Sequence, residues 1–155
     1  MTDMRDIADP LSLENQVCFA LAVASRSVIA LYRPVLEPMG LTHPQYLVML
    51  ALWQHAPSSV KDLSELLRLE PATLSPLLKR LEAAGLVERR RASADERSLA
   101  VVLTGRGLAL REQALEVPAA IVERLGMEAA ELQDLHRALT RVIAAAGGAG
   151  ALRPS

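Results

Sequence analysis

Apolar side chains along this chain recur mostly at helical spacing, with one interruption where they alternate instead. From about Leu13 to Leu36, Val17, Leu21, Ala24, Val28 and Leu31 repeat at alternating steps of four and three, a stripe suited to packing another helix. Pro34 is expected to kink its end, and Pro38 with Gly40 to stop it. Thr42-His43-Pro44-Gln45 has the form of a capping box, in which the Thr42 hydroxyl accepts from the third helical amide and Gln45 reaches back. A second helix follows to about Gln54, and Pro57 closes it. Ser59 is placed to cap a short third helix with Val60, Leu63 and Leu67 on one face. After a turn at Leu69-Glu70, Leu74, Leu77, Leu78 and Leu81 fall at i, i+3, i+4 and i+7, and Gly85 suits a left-handed cap. Pro71 fits a first turn, but Pro76 removes a backbone bond unless the ordered helix starts near Ser75.

The period then changes. Leu86-Val87-Glu88-Arg89-Arg90-Arg91 is followed by the polar stretch Ala92 to Arg97, after which Leu99, Val101 and Leu103 alternate with Ser98, Ala100 and Val102. This predicts two strands joined by a charged loop. Thr104 is expected to cap a fifth helix kinked near its middle by Pro118. A last helix, from about Glu128 to Ala145, carries Leu132, Leu135, Leu139 and Val142 on one face. The Ala/Gly-rich segment 146–155 is expected to be disordered. Helix, turn, helix and then a hairpin predicts a mainly α chain with a small β-hairpin wing: one domain over 1–155, with a winged helix-turn-helix region at 42–103 and dimerisation helices at 11–39 and 104–145.

Composition supports that class. Of 155 residues 51% are hydrophobic but only 3% aromatic, so the core is expected to be built from Leu, Val and Ala, residues that mostly suit helices. Cys18 is the single cysteine, which excludes an intrachain disulfide and a multi-cysteine metal site; no cofactor is expected. No apolar run is expected to span a bilayer, the segment Met1 to Asp9 lacks the order of a signal peptide, and the cytoplasm is the default compartment.

A formal net charge of −1 argues at first against a nucleic-acid binder, but distribution matters more than the sum. Between Lys79 and Arg97 stand Lys79, Arg80, Arg89, Arg90, Arg91 and Arg97 against Glu82, Glu88, Asp95 and Glu96. With the leucine face of the fourth helix buried, Thr73, Ser75, Lys79 and Arg80 are left for a major groove, and its N-terminal amides for phosphate. Arg97 at the hairpin tip is long enough for a minor groove, and Arg89, Arg90 and Arg91 would meet the backbone and make binding salt-dependent. A solvated helix and an ordinary charged hairpin explain the same residues equally well at this point.

Several strings decide between these readings. Leu77-Leu78-Lys79-Arg80-Leu81-Glu82, Gly85-Leu86-Val87, Asp95-Glu96-Arg97-Ser98 and Val102-Leu103-Thr104 together resemble the MarR family of winged-helix regulators. Leu13 to Leu21, Leu31-Tyr32-Arg33-Pro34 and Leu41 to Leu50 resemble its OhrR branch, organic-hydroperoxide sensors in which oxidation of one N-terminal cysteine releases DNA. The resemblance implies a repressor on a pseudo-palindromic duplex, acting as a homodimer. It makes Cys18 the sensing thiol and Tyr32 one of its hydrogen-bond partners, with His43 a further candidate donor to the thiolate, and assigns DNA contacts to Thr73, Ser75 and Arg97, with Asp95 orienting that arginine. His43 stands where the family usually has a second tyrosine, Ala22 where some members have an aromatic residue, and Pro71-Ala72 replaces a more usual Ser-Gly-like pair.

Cys18 and Tyr32 are fourteen residues apart on one helix, roughly 21 Å along its axis, so a hydrogen bond between them requires two first helices crossing antiparallel in a dimer. Reaction with peroxide needs the thiolate and yields a sulfenic acid. Without a second cysteine, its expected ends are a mixed disulfide with a low-molecular-weight thiol, a sulfenamide or overoxidation. From pattern alone Cys18 is more readily a small buried hydrophobe than a sensing thiol. Two other functions compete: a MarR-type repressor released by a small aromatic acid, and a thiol peroxidase, against which the lack of a resolving cysteine weighs. Tyr46 and Trp53 are expected in the core, and His55 and His136 as ordinary surface or helix-end residues.

Overall fold

The computed structural model describes residues 9–91 and 99–148. In chain order the elements are α1 (Val17–Leu36), α2 (His43–His55), β1 (Ser58–Ser59), α3 (Val60–Leu67), α4 (Pro71–Ala83), β2 (Val87–Arg91), β3 (Leu99–Leu103), α5 (Gly105–Ala114), α6 (Val117–Leu125) and α7 (Ala129–Gly148). The fold is the expected one, mainly helical with a small antiparallel sheet.

The expected caps set the boundaries. Thr42 and Gln45 make both halves of the capping box at the start of α2. Ser59 accepts from the Asp62 amide at 3.0 Å, and Asp62 answers on the Ser59 amide. Gly40 and Gly85 adopt the left-handed conformation, with φ of 69° and 75°, where a Cβ would be strained. The Thr104 hydroxyl accepts from Gly107 N–H at 3.0 Å and donates to the Gly85 carbonyl at 2.6 Å, joining the end of α4 to the start of α5. Arg106 donates to the Ala84 carbonyl from the same turn, a cation on the carbonyl end of a helix.

The core lies where α2, α3 and α4 meet the sheet. Leu63, Leu74, Leu78, Leu81, Met49, Leu52 and Val101 are buried together. Gly107 packs so tightly that an added Cβ would run into the Leu86 carbonyl. From α2, Trp53 donates its indole N–H to the Gly107 carbonyl at 2.9 Å. The core assignment of Tyr46 and Trp53 therefore holds, with Tyr46 buried and Trp53 half-buried.

Several expectations need correction. The segment Leu13–Asn15 is a 3-10 turn, and α1 itself begins at Val17. The fifth helix is two helices: α5 ends at Ala114, α6 starts at Val117, and Pro118 stands in the first turn of α6, where its missing N–H costs nothing. Pro76 sits inside α4, which starts at Pro71 and not near Ser75. The hairpin pairs Val87 with Leu103 through Arg91 with Leu99, as expected. A third strand, β1, pairs on the other edge of β3, giving the order β1-β3-β2. Two serines offer no alternation to read. The last helix continues past Ala145 to Gly148, into the segment expected to be disordered; residues 149–155 lie outside the described ones.

One segment, Val17–Met39, is long and apolar enough to cross a membrane by length and composition, against expectation. Its exposed side chains have another explanation. Only Leu36 of α1 is buried, α7 buries nothing, and α7 makes no substantial contact with another element among the described residues. Val17, Ile29, Leu135, Val142 and Ile143 are all exposed. Two long helices with open apolar stripes are faces for packing against further helices.

Candidate functional site

The α4 helix rests on α2 and α3 through the expected face: Leu74, Leu77, Leu78 and Leu81 are all buried. Thr73, Lys79 and Arg80 are exposed, and Ser75 is half-buried. The helix start offers less to an anion than expected. Pro71 has no N–H, and the Thr73 and Leu74 amides both donate to the Glu70 carbonyl, at 3.0 and 3.1 Å. The contact surface of α4 is therefore made of side chains more than of its N-terminal amides.

The arginine run divides. Strand alternation puts Arg89 on the face that meets α4, where its Nε lies 2.5 Å from Glu82 Oε1 and the side chain is half-buried. Arg89 was expected on the DNA backbone; instead it ties β2 to α4. That ion pair is off hydrogen-bond geometry, so Arg89 Nε and Nη2 and Glu82 Oε1 have no hydrogen-bond partner among the described residues. Arg90 is held by Glu88, through Nε at 3.0 Å and Nη2 at 2.8 Å, in the open. Asp95 and Arg97 lie outside the described residues.

The thiol candidates are not all in one place. Cys18 is exposed in the first turn of α1. Its reading as a small buried hydrophobe does not hold for the single chain. Tyr32, near the other end of the same helix, meets His43 edge-on, with ring centroids 4.9 Å apart and planes at 67°. Tyr46 joins them, 5.9 Å from Tyr32. Burial raises the Tyr32 phenol above its ordinary value, so it stays a protonated donor. Burial lowers the His43 imidazole below its ordinary value, favouring the neutral ring. Tyr46 is raised by burial and, secondarily, by the nearby Tyr32 charge.

Reading along the sequence missed Tyr46 as a member of this cluster and missed the cavity beside it. That cavity, about 680 Å³, is lined by Arg26, Ile29 and Arg33 from α1 and by Leu41, Thr42 and His43 at the start of α2. Arg26 and Arg33 are seven residues apart, two helical turns, which is the signal that places both on one face. His55, at the end of α2, and His136, on α7, are exposed as expected.

Residues 41–99 match the MarR family. The chain is 40% identical over 136 residues, 88% of its own length and 92% of the relative's, to the organic hydroperoxide resistance transcriptional regulator of Bacillus subtilis. Among solved structures it is similar to reduced AbfR bound to DNA, the Staphylococcus epidermidis protein, with a TM-score of 0.66 and 34% identity over 84% of this chain and 95% of that one. AbfR is also known in disulfide-formed and overoxidised states. A third similarity is to BpsR of Bordetella bronchiseptica, whose DNA binding is regulated by 6-hydroxynicotinic acid, with a TM-score of 0.78 and 26% identity over 86% of this chain and 97% of that one. Fold, leucine-backed α4, hairpin and near-full-length identity agree: the chain belongs to the MarR family of DNA-binding transcriptional regulators.

Proposed function

We propose that this regulator is a repressor that leaves its operator when an organic hydroperoxide oxidises Cys18. The observation that carries the reading is the arrangement along α1: an exposed thiol at one end, the Tyr32–His43 ring pair at the other, and an open apolar face between them. Two such helices crossing antiparallel in a homodimer bring Cys18 to the partner subunit's Tyr32 and His43. The Tyr32 hydroxyl then donates to the thiolate, which attacks the outer peroxide oxygen. The O–O bond breaks, sulfur loses two electrons to become the sulfenic acid, and the alkoxide takes a proton and leaves as an alcohol. A low-molecular-weight thiol condenses with the sulfenic acid, releasing water and leaving a mixed disulfide. The added bulk lies in the subunit interface, and a small rotation there spoils the fit of two recognition helices about 34 Å apart on one duplex.

In this reading 42–103 is the DNA-binding region, and the helices at 11–39 and 104–145 hold the cytoplasmic dimer together. Thr73, Ser75, Lys79 and Arg80 face the major groove, and Arg97, oriented by Asp95, reaches the minor groove. The test is operator binding of wild type and Cys18→Ser before and after an organic hydroperoxide. Wild type should be released and the serine variant retained; equal release of both places the switch elsewhere. Arg97→Ala should weaken specific binding without unfolding, and unchanged affinity at physiological salt removes the wing from the interface.

A second reading makes the effector an aromatic acid. The cavity with Arg26, Arg33 and His43 favours it, since two guanidiniums on an apolar floor suit a carboxylate. Ligand-induced release that persists in Cys18→Ser would establish it.

A further inference from the structure

The exposed face of α4 is not the polar surface its flanking residues suggest. At about 100° per residue, Leu74, Leu77, Leu78 and Leu81 centre the buried face, and Ala72, Pro76, Lys79 and Ala83 fall on the line opposite. Those four residues are exposed. Thr73 and half-buried Ser75 lie on the two flanks of that line. The part of α4 that projects furthest from the core is thus apolar over its first half, with a single cation, Lys79, beyond. The proline is the more telling residue. Pro76 lies within the helix and deprives the Ala72 carbonyl of its normal i+4 amide, an arrangement that works against helix stability. A face that only met phosphate would use Lys, Arg or Ser at these positions.

We propose that Ala72 and Pro76 read thymine, by apolar contact with its 5-methyl group in the major groove. The inference deepens the DNA reading and rests on α4 being the element that enters the groove. In that groove the thymine methyl is the one apolar mark on a base edge, and small apolar side chains are its complement. Ala72 stands at the second position of α4, in the N-terminal turn that approaches base edges most closely. Pro76, one turn later on the same line, fits the next step of the groove. Polar readers such as Asn or Gln on this line would select adenine through hydrogen bonds; neither is present on α4. Specificity at the centre of each half-site then comes from methyl groups, with Thr73 and Lys79 holding the helix in register.

The test uses the full-length reduced protein and the duplex it selects from a random double-stranded pool. Each thymine of that duplex is replaced singly by deoxyuridine, which keeps every hydrogen-bonding group and removes only the methyl. At one or two thymines per half-site the replacement should weaken wild-type binding about fourfold, the equivalent of one buried methyl. In Ala72→Gly the ratio of the two affinities at one of those positions should fall to one. Ala72→Ser, which keeps a good residue in the first helical turn, should lose the same preference and covers a glycine variant that folds poorly. Thymine-to-uracil changes without effect anywhere in a selected site overturn the proposal and leave DNA binding standing. So does a methyl preference that survives both Ala72 variants and Pro76→Ala. If no sequence is enriched from the pool, sequence-specific binding fails and the inference falls with it.

Discussion

Between Leu41 and Leu103 the apolar side chains are mostly covered, whereas along α1 only Leu36 is buried and along α7 no residue is. Both regions are rich in Leu, Val and Ala, so the difference is not one of composition. The central region closes its own core: three short helices and a three-stranded sheet each present one apolar face inward, and the caps at Thr42, Ser59 and Thr104 satisfy the helix starts. The long helices leave most of their apolar stripes uncovered among the described residues, although α1 also packs on α2 and α6. One region carries its stability within a single chain; in the proposed dimer the other draws it from a second copy. In the proposed function this division lets chemistry at the shared helices move two otherwise rigid DNA-reading units.

The sharpest way to break the comparison is to damage each region separately. Leu78→Ala empties a fully buried site and should cost about 2–5 kcal/mol of unfolding free energy, measured by denaturant titration. Val142→Glu on α7 should leave far-UV circular dichroism intact and raise the dimer dissociation constant by about tenfold or more, because an unpaired carboxylate buried in an interface costs several kcal/mol. Sedimentation equilibrium reads this directly, and an unchanged constant would show that α7 faces solvent. A smaller change tests the self-contained caps. Thr42→Ala removes the acceptor for the Gln45 amide and should lower stability by about 1 kcal/mol, seen as a lower Tm.

The smallest effect lies at the seam, where His43 of α2 meets Tyr32 of α1. Its folded pKa is below the ordinary 6.5 because burial penalises the charged ring. Between the two values the unfolded chain binds more protons, so stability is fully present above the ordinary value and is lost as pH falls through it. Wild type should therefore lose more Tm than His43→Gln between about pH 7 and about pH 5. Parallel curves for the two proteins would mean that His43 is solvated in the assembled dimer.

The candidate site shows how far reading along the chain carries. Lys79, Arg80 and Thr73 stand exposed on α4 as the leucine spacing required, because a helix of known phase fixes which side chains face away from its core. Arg89 looked equivalent to its neighbours, yet it is withdrawn onto Glu82, since its direction depends on where α4 crosses β2. Tyr32 and His43 were linked to the thiol by resemblance alone; that they touch each other and Tyr46 follows from the packing of α1 on α2.

What the sequence determined by itself was local: the capped starts at Thr42, Ser59 and Thr104, the left-handed ends at Gly40 and Gly85, the leucine face of α4 and the register-bearing hairpin. Each depends on hydrogen bonds or periodicity within a few residues, so it can be read before the chain is folded. Tertiary structure alone decided that Ser58 and Ser59 extend the sheet, that α4 runs through Pro76, that Trp53 holds the Gly107 carbonyl and that Arg89 turns inward. The last three were settled by how elements distant in sequence pack together, which outweighed the local preference of a proline or a charge.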